Sequence, residues 1–257
     1  MTKRPSTPLK IHRIRQIQRE PAMAEAVADQ LRASIISGDL PPGARLLQEE
    51  LADRLDVSRA PVRQALVILE REGLVQADRW RGSIVAPLDV LQIKDLYEFR
   101  GAVERFVAET LARRGDFDAA PLRALIEQGE GAAVTGDVTR LIDLDLRFHT
   151  RLYVALNNRV LSDVMISHWT HTRRVMAATL KVHGYPKTAW DEHAAIIDAI
   201  EAHDSKLAGQ RAAAHIAAAS ARMVETFARE MQRLQVTSDA QAPTGRATRP
   251  VARGRRR

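Results

Sequence analysis

The long run of helix-forming sequence after residue 88 constrains the fold of this chain most strongly. Apolar side chains there recur at the three- and four-residue spacing of one helix face, and no segment alternates as a strand does. Amphipathic helices without strands can bury their apolar faces only against one another, so we expect an all-α bundle over 89–235. Its predicted helices cover about 90–113, 119–133, 137–156, 159–182, 188–203 and 205–234.

The sequence before this bundle is divided by turns into shorter elements. Apolar spacing predicts helices over about 22–37, 49–55 and 58–72, the third with Ser58 as a suitable N-cap. Two short extended segments then flank a basic tip at 78–82, which predicts a β-hairpin. Three helices followed by a hairpin predict a winged helix-turn-helix domain over 21–88.

The start of the third helix carries the side chains best suited to DNA. Its apolar stripe faces inward, which leaves Arg59, Arg63 and Gln64 on or beside the exposed side near the N-terminus. Arginine can pair with guanine or clamp a phosphate, and glutamine can contact adenine or a phosphate. Arg79 and Arg81 on the hairpin suit backbone or minor-groove contacts. Solvated surface arginines are the alternative, but the order of elements favours a DNA-binding domain.

Composition limits the other classes of function. The net charge of +7 comes from two basic ends, 1–20 and 236–257, which we predict to be disordered tails, so DNA binding must be argued from the motifs. The closing arginines could still add salt-sensitive phosphate affinity. Cysteine is absent, so any metal must be bound by His, Asp or Glu. No apolar run resembles a signal peptide or membrane span, and we predict a soluble, cytoplasmic protein.

Four polar side chains in the helical domain share the inward faces of three predicted helices. Asp145 and His149 are one helical turn apart, and His193 and His215 lie on the two last helices. One carboxylate and three imidazoles form a site for zinc, with nickel or manganese as alternatives. Each histidine could instead be a satisfied core residue.

Three further polar residues are candidates for an effector pocket. Arg100 and Arg173 lie on largely apolar faces, where a buried arginine requires an anionic partner. That partner is either an internal carboxylate or the carboxylate of a ligand. Asn157 could add a polar contact.

The segment Gly-Ala-Arg-Leu-Leu-Gln-Glu-Glu-Leu-Ala-Asp-Arg-Leu-Asp-Val-Ser-Arg-Ala-Pro-Val-Arg-Gln-Ala-Leu, at 43–66, together with Leu-Glu-Arg-Glu-Gly-Leu-Val at 69–75, strongly resembles the GntR family of transcription regulators. The resemblance spans about 24–87. It implies that Arg45, Arg59, Arg63 and Gly82 contact DNA, with Gly82 letting the wing backbone approach the groove. Glu49 departs from the family, because some relatives place a DNA-contacting arginine there.

The helical part resembles the FCD effector domain of the FadR-like GntR subfamily over about 90–230. The resemblance rests on Asp-x-x-x-His, then Glu-His-x-x-Ile, then a final histidine. It implies that Asp145, His149, His193 and His215 are metal ligands and that the effector is a small organic acid.

The sequence thus predicts a homodimeric, sequence-specific regulator of double-stranded operator DNA, controlled by a small carboxylate bound near a metal. Repression is favoured over activation, because occupying an operator requires no further contact. A metal-dependent enzyme is disfavoured, because Glu192 beside His193 points about 100° away around the helix and no catalytic motif is present. A nonspecific, architectural DNA-binding dimer is the other alternative.

Overall fold

The structure is a computed structural model that describes residues 21–80, 82–186 and 188–241. It divides between Pro87 and Leu88 into two compact units, called here the N-terminal unit and the C-terminal unit. The predicted tail over 1–20 lies outside the described residues, as does the second predicted tail beyond Gln241.

The N-terminal unit combines three helices with a small antiparallel sheet. Strand β3 (Gly82–Val85) lies between β1 (Arg45–Leu46) and β2 (Val75–Asp78), and the β2–β3 hairpin is paired from Val75 with Val85 to Asp78 with Gly82. The predicted helices and hairpin are confirmed, but the short strand β1, which pairs with β3, was not predicted. The elements are α1 (Pro21–Ser37), β1 (Arg45–Leu46), α2 (Gln48–Leu55), α3 (Arg59–Arg71), β2 (Val75–Asp78) and β3 (Gly82–Val85).

The core of the N-terminal unit fixes which face of α3 is exposed. Val62, Leu66 and Leu69 of α3 are buried together with apolar side chains of α1 and of the hairpin. At the rim, the guanidinium of Arg32 donates two hydrogen bonds, of 2.8 and 2.6 Å, to the carboxylate of Glu72. Because α3 is held on this side, its opposite side faces solvent from its first turn onward.

The C-terminal unit is helical throughout the part of the chain that the structure describes, which confirms the predicted fold class. Its last helix continues to Gln241, into the segment that the sequence assigned to the tail beginning at 236. Its helices are α4 (Val90–Arg114), α5 (Ala120–Thr135), α6 (Val138–Ala155), α7 (Arg159–His183), α8 (Thr188–Glu201) and α9 (Ser205–Gln241).

Helix ends and close contacts set the positions of α4 to α9. The side chains of Asp89, Asp137 and Asn158 accept hydrogen bonds from backbone N–H groups at the starts of α4, α6 and α7. In α5, Gly129 lies against the indole of Trp190 on α8 so closely that a Cβ would overlap the ring. The absence of a side chain at 129 therefore lets α8 pack closely onto α5.

Candidate functional site

The exposed side of α3 presents the predicted DNA-contacting groups. Arg59 and Arg63 are exposed and Gln64 is half-buried, whereas Val62 and Leu66 are buried. Ser58 stands at the N-cap in an extended conformation, but its hydroxyl makes no capping hydrogen bond and is exposed. The sequence assignment of the two faces of α3 therefore agrees with the structure.

A hollow joins the start of α3 to the sheet. Arg45 on β1, Arg59 on α3 and Gly82 on β3 all line it, so the structure brings together three residues that the sequence associated with DNA. Glu49 at the start of α2 also lines the hollow and forms an ion pair with Arg59. Glu50 and Asp53 line it as well, so carboxylates and guanidinium groups are mixed on this face.

The hairpin tip carries the remaining predicted contacts. Arg79 is exposed there, and Arg81 lies outside the described residues. Gly82 has a φ of +75°, a left-handed conformation that favours glycine, and a Cβ at this position would meet nothing within 4 Å. The backbone of Gly82 is therefore open on the side that a DNA groove would approach.

The second site is a buried cluster in the C-terminal unit, formed by Asp145 and His149 of α6, His193 of α8 and His215 of α9. One potential ligand atom from each residue lies within 4.8 Å of all the others. Nε2 of His193 is 3.2 Å from Nε2 of His215 and 3.5 Å from Oδ1 of Asp145, and Nε2 of His149 is 3.8 Å from the same oxygen. Three helices thus bring the four predicted residues to one point.

Two further carboxylates contact the outer nitrogens of the histidine rings. Oε1 of Glu104 is 2.7 Å from Nδ1 of His149, and Oε2 of Glu192 is 2.6 Å from Nδ1 of His215. The hydroxyl of Tyr185 donates a 2.7 Å hydrogen bond to Oδ1 of Asp145. Such outer contacts are typical of metal-binding histidines, because they fix the tautomer and the ring orientation.

The protonation states leave lone pairs directed at the centre of the cluster. Burial lowers the pKa of His149, and it lowers that of His193 well below the usual histidine value. Burial alone raises the pKa of Glu104, but His149 and Arg100 outweigh this effect and hold that pKa at about 2. An ionised carboxylate can only accept, so His149 carries its proton on Nδ1, facing Glu104, and Nε2 keeps its lone pair.

His215 is oriented in the same way. Its hydrogen bond to Glu192 lowers the pKa of that carboxyl, so Glu192 is ionised and Nδ1 of His215 is the donor. Nε2 of His215 lies on the inward side of the ring, 3.2 Å from Nε2 of His193. Nε2 of His149 and Oδ2 of Asp145 are buried without a hydrogen-bond partner among the described residues. Converging lone pairs and a carboxylate are the donor set that a divalent cation requires.

Arg100 lies next to this cluster and is buried in α4. Its Nη2 is 3.7 Å from Oδ2 of Asp145 and its Nε is 3.4 Å from Oε1 of Glu104, while its guanidinium stacks 4.4 Å from the ring centroid of Trp169. The internal ion pair that the sequence left as one alternative is therefore present. The same side chain also lines a small cavity of about 20 Å³, together with Asp145, His215 and Arg222.

The other two predicted effector residues are placed elsewhere. Arg173 is half-buried on α7 and Asn157 is exposed just beyond the end of α6, and neither lines this cavity. Because Asn157 has a left-handed backbone at the turn between α6 and α7, its side chain is held at the surface. The assignment of these two residues to an effector site stays a prediction.

Sequence patterns missed several residues of the site. Glu104 follows Arg100 by one helical turn, a spacing that signals a paired carboxylate. Arg222 belongs to no recognisable motif, and only the packing of α9 places it in the cavity. Tyr185 lies in the segment between α7 and α8, for which periodicity gives no prediction.

The fold and the two sites define a DNA-binding protein with a separate helical sensor unit. Residues 23–85 match the family model of bacterial regulatory proteins of the gntR family, and residues 95–218 match that of the FCD domain. The chain belongs to the GntR family and carries an FCD domain, and it is a DNA-binding transcription regulator rather than an enzyme.

Individual relatives agree with this assignment. The gluconate operon transcriptional repressor of Bacillus licheniformis is 30% identical over 175 residues, which cover 67% of this chain and 70% of that protein. The galactonate operon transcriptional repressor of Escherichia coli is 29% identical over 218 residues, covering 76% of this chain and 94% of that protein. The crystal structure of a GntR protein from Rhodococcus sp. has a TM-score of 0.67 at 27% identity, covering 79% and 98% of the two chains.

GntR regulators bind operator DNA and usually act as dimers, which agrees with two of the three partners predicted for this chain. Among the described residues, no helix is long and apolar enough to cross a membrane.

Proposed function

We propose that this regulator is a metal-dependent repressor whose affinity for its operator is controlled by a small organic acid bound between the metal and Arg100. The observation that carries the proposal is the convergence of Asp145, His149, His193 and His215 within 4.8 Å in a buried site. A cluster of neutral imidazoles and a carboxylate is costly to bury unless a cation compensates it.

The donor set supports a divalent metal ion of intermediate hardness, one that binds both nitrogen and oxygen ligands. Three imidazole nitrogens and one carboxylate oxygen suit zinc best, and they also suit nickel or manganese with added water ligands. When bound, the ion would supply a positive charge and an open coordination position for an anionic ligand. His149 and His215 would hold it through Nε2, with Glu104 and Glu192 fixing the two rings.

The cavity beside the cluster supports a carboxylate as the effector. Arg100 and Arg222 give it two cationic groups, and Tyr97 and Met176 contribute aromatic and apolar wall. The cavity measures only about 20 Å³, so the helices around it must move apart to admit even a compact acid. The operons of two relatives are named for gluconate and galactonate, which are sugar acids.

For DNA, we propose that two copies of the chain present α3 to the half-sites of a pseudo-palindromic operator. The support is the exposed pair Arg59 and Arg63 at the N-terminal end of α3, flanked by Arg45. Repression fits the names of two relatives, and binding chromosomal DNA implies the cytoplasm as the site of action.

Metal content tests the first half of the proposal. We expect purified protein, stripped with a chelator and reloaded with zinc, to hold about one ion per chain by elemental analysis. His193→Ala and His215→Ala should lose the ion while keeping their helical circular dichroism. His203→Asn is the matched control, because His203 is exposed and Asn tolerates its left-handed backbone. Equal metal in all four proteins would refute the assigned site.

Thermal unfolding with a panel of acids tests the second half. Gluconate, galactonate, citrate, succinate and lactate are added to zinc-loaded protein, with the neutral polyol glucitol as the control. At least one acid should raise the Tm, since a ligand that binds only the native state stabilises it. The rise should vanish in metal-free protein and in Arg222→Gln. An equal rise with and without metal would separate the acid site from the cluster and contradict the proposal.

A further inference from the structure

Two arginines that line the cavity beside the buried cluster keep N–H groups without a partner. Arg100 is 2% exposed, and its Nη2 is buried without a hydrogen-bond partner among the described residues. Nε of Arg222 on α9 is likewise buried and unpartnered within the part of the chain that the structure describes. A buried cationic N–H is costly to leave unpaired, so each of these two groups suits an anionic ligand atom.

The carboxylates nearest to these N–H groups do not saturate them. Oδ2 of Asp145 lies 3.7 Å from Nη2 of Arg100, which is beyond hydrogen-bond distance. Oε1 of Glu192 lies 3.6 Å from Nη1 of Arg222, and the other oxygen of Glu192 is 2.6 Å from Nδ1 of His215. Each arginine can therefore bind the carboxylate of a ligand in addition to its protein neighbours.

The two guanidinium groups lie close to each other along the cavity. Burial raises the pKa of the Tyr97 hydroxyl to about 12, and the charges of Arg100 and Arg222 both oppose that rise, so both act on the same hydroxyl. Glu192 contacts both Arg222 and His215, which keeps the second guanidinium near the metal cluster. A short ligand with two carboxylates can therefore reach both arginines.

Most of the remaining wall of the cavity is apolar. Met176 and Leu180 of α7, Ala189 of α8 and Met223 of α9 line it, and all four side chains are buried. Apolar side chains stabilise a ligand by removing its methylene groups from water. The wall therefore favours a ligand with a hydrocarbon chain between its charged ends.

Neutral hydrogen-bonding groups are scarce along this wall. Outside the cluster and the two arginines, the polar side chains that line the cavity among the described residues are Tyr97 and Tyr185. The hydroxyl of Tyr185 already donates to Asp145. A sugar acid carries a hydroxyl group on each carbon beyond its carboxylate, and each hydroxyl is both a donor and an acceptor. Burying these hydroxyls without partners weakens binding, so the cavity disfavours a sugar acid.

We propose that, given the proposed function of this cavity as the effector site, the effector is a short dicarboxylate whose carbon chain carries no hydroxyl groups. One carboxylate binds Arg100 beside the metal cluster, and the other binds Arg222. The apolar side chains of α7, α8 and α9 cover the methylene groups between them. Gluconate and galactonate are then not the preferred ligands of this chain.

Calorimetric titration of zinc-loaded, full-length protein with two matched series of acids tests this assignment. Succinate is compared with tartrate and butyrate, and adipate with galactarate and hexanoate. Each plain diacid thus has a hydroxylated counterpart and a monoacid counterpart of the same length. At least one plain diacid should bind about tenfold or more tightly than its hydroxylated counterpart, because an apolar wall disfavours added hydroxyls. It should exceed its monoacid by a similar factor, because the monoacid leaves Arg222 unpaired.

The variant Arg222→Gln tests the second carboxylate separately. It should weaken binding of the plain diacid by roughly tenfold or more and that of the matched monoacid by much less, because only the diacid reaches position 222. Arg229→Gln is the matched control. Arg229 is an exposed arginine further along α9 that is not among the residues lining the cavity, so its replacement should leave both Kd values unaltered.

Three results would overturn the assignment, and they differ in what else they refute. Equal or tighter zinc-dependent binding of tartrate, galactarate or gluconate would exclude the plain dicarboxylate and leave the metal-dependent acid site in place. Equal weakening of diacid and monoacid by Arg222→Gln would show that Arg222 supports the shape of the cavity and binds no second carboxylate. Absence of zinc-dependent binding by every acid would refute the proposed function together with the dicarboxylate.

Discussion

Arginine and carboxylate side chains meet in both units of this protein, but in opposite surroundings. Arg59 pairs with Glu49 on the surface of the N-terminal unit, where the two side chains are 66% and 69% exposed. Arg100 pairs with Glu104 in the C-terminal unit, where each side chain is 2% exposed. Both pairs consist of an arginine and a glutamate, and they differ in how far their side chains are exposed to solvent.

This difference decides what each pair contributes. Exposed ion pairs add little to stability because water screens them, so Arg59 can exchange its carboxylate partner for a phosphate or base at small cost. Water cannot replace either partner of a buried ion pair. Removing one partner therefore leaves the other as a buried charge without compensation. The N-terminal unit therefore keeps its charges available for DNA, and the C-terminal unit uses them to fix its site.

The largest expected effect is the loss of the buried carboxylate of Glu104. Glu104→Ala leaves His149 without its carboxylate partner and Arg100 with Asp145 alone, and it should lower the free energy of unfolding of the C-terminal unit by about 3–5 kcal/mol. Urea unfolding of metal-free protein, followed by circular dichroism, measures it. Glu225→Ala removes the same side chain from an exposed pair with Arg229 and should cost less than about 1 kcal/mol. Equal costs would remove the distinction between the two surroundings.

Two glycines in α5 test how tight packing alone, without any charged group, affects stability. Gly129→Ala should destabilise the C-terminal unit by about 1–3 kcal/mol or more, because the new methyl group overlaps Trp190. Gly131→Ala, with nothing within 4 Å of the new Cβ, should instead stabilise the helix by about 1 kcal/mol. Thermal unfolding of the two variants compares them. A stable Gly129→Ala protein would contradict the close packing of α8 on α5.

On the DNA-facing side, Arg63→Ala should reduce affinity and leave stability unchanged. Loss of a base or phosphate contact costs about 1–3 kcal/mol of binding free energy, whereas an exposed substitution changes unfolding by less than about 0.5 kcal/mol. Anisotropy titrations on an operator duplex measure the first and urea unfolding the second. Arg71→Ala, at the other end of α3, is the control and should leave Kd nearly unaltered. The reverse pattern would place the DNA contact elsewhere on the helix.

The smallest effect concerns Glu49. Glu49→Gln removes the carboxylate that pairs with Arg59 and should tighten DNA binding by up to about fivefold at low salt. The gain should shrink as salt rises, because screening weakens the interaction of Glu49 with both Arg59 and DNA. A salt series of Kd values checks this. Weaker binding by Glu49→Gln would instead show that the carboxylate orients Arg59 for base contact.

The sequence predicted most of the helices because their apolar periodicity is set locally. Strand β1 was missed because two residues carry no periodic pattern, and their strand character comes only from pairing with β3. The end of α9 was placed too early, because the residues after 235 lack the apolar stripe although the helix continues to Gln241.

The four residues of the buried cluster could be predicted because each lies on an inward helix face. Their outer partners could not, since Glu104 and Glu192 reach the rings of His149 and His215 only through the packing of different helices. Asn157, proposed as an additional polar contact, lies at the turn after α6 and is exposed.

X-ray absorption at the zinc edge, on stoichiometrically reloaded protein, tests the central claim most directly. We predict a first shell with three imidazole nitrogens at about 2.0–2.1 Å and at least one oxygen, with the multiple-scattering pattern of histidine rings. His149→Ala should lower the imidazole count by one. A first shell of oxygens alone, with no histidine signature, would contradict the assignment of Asp145, His149, His193 and His215 as the metal site.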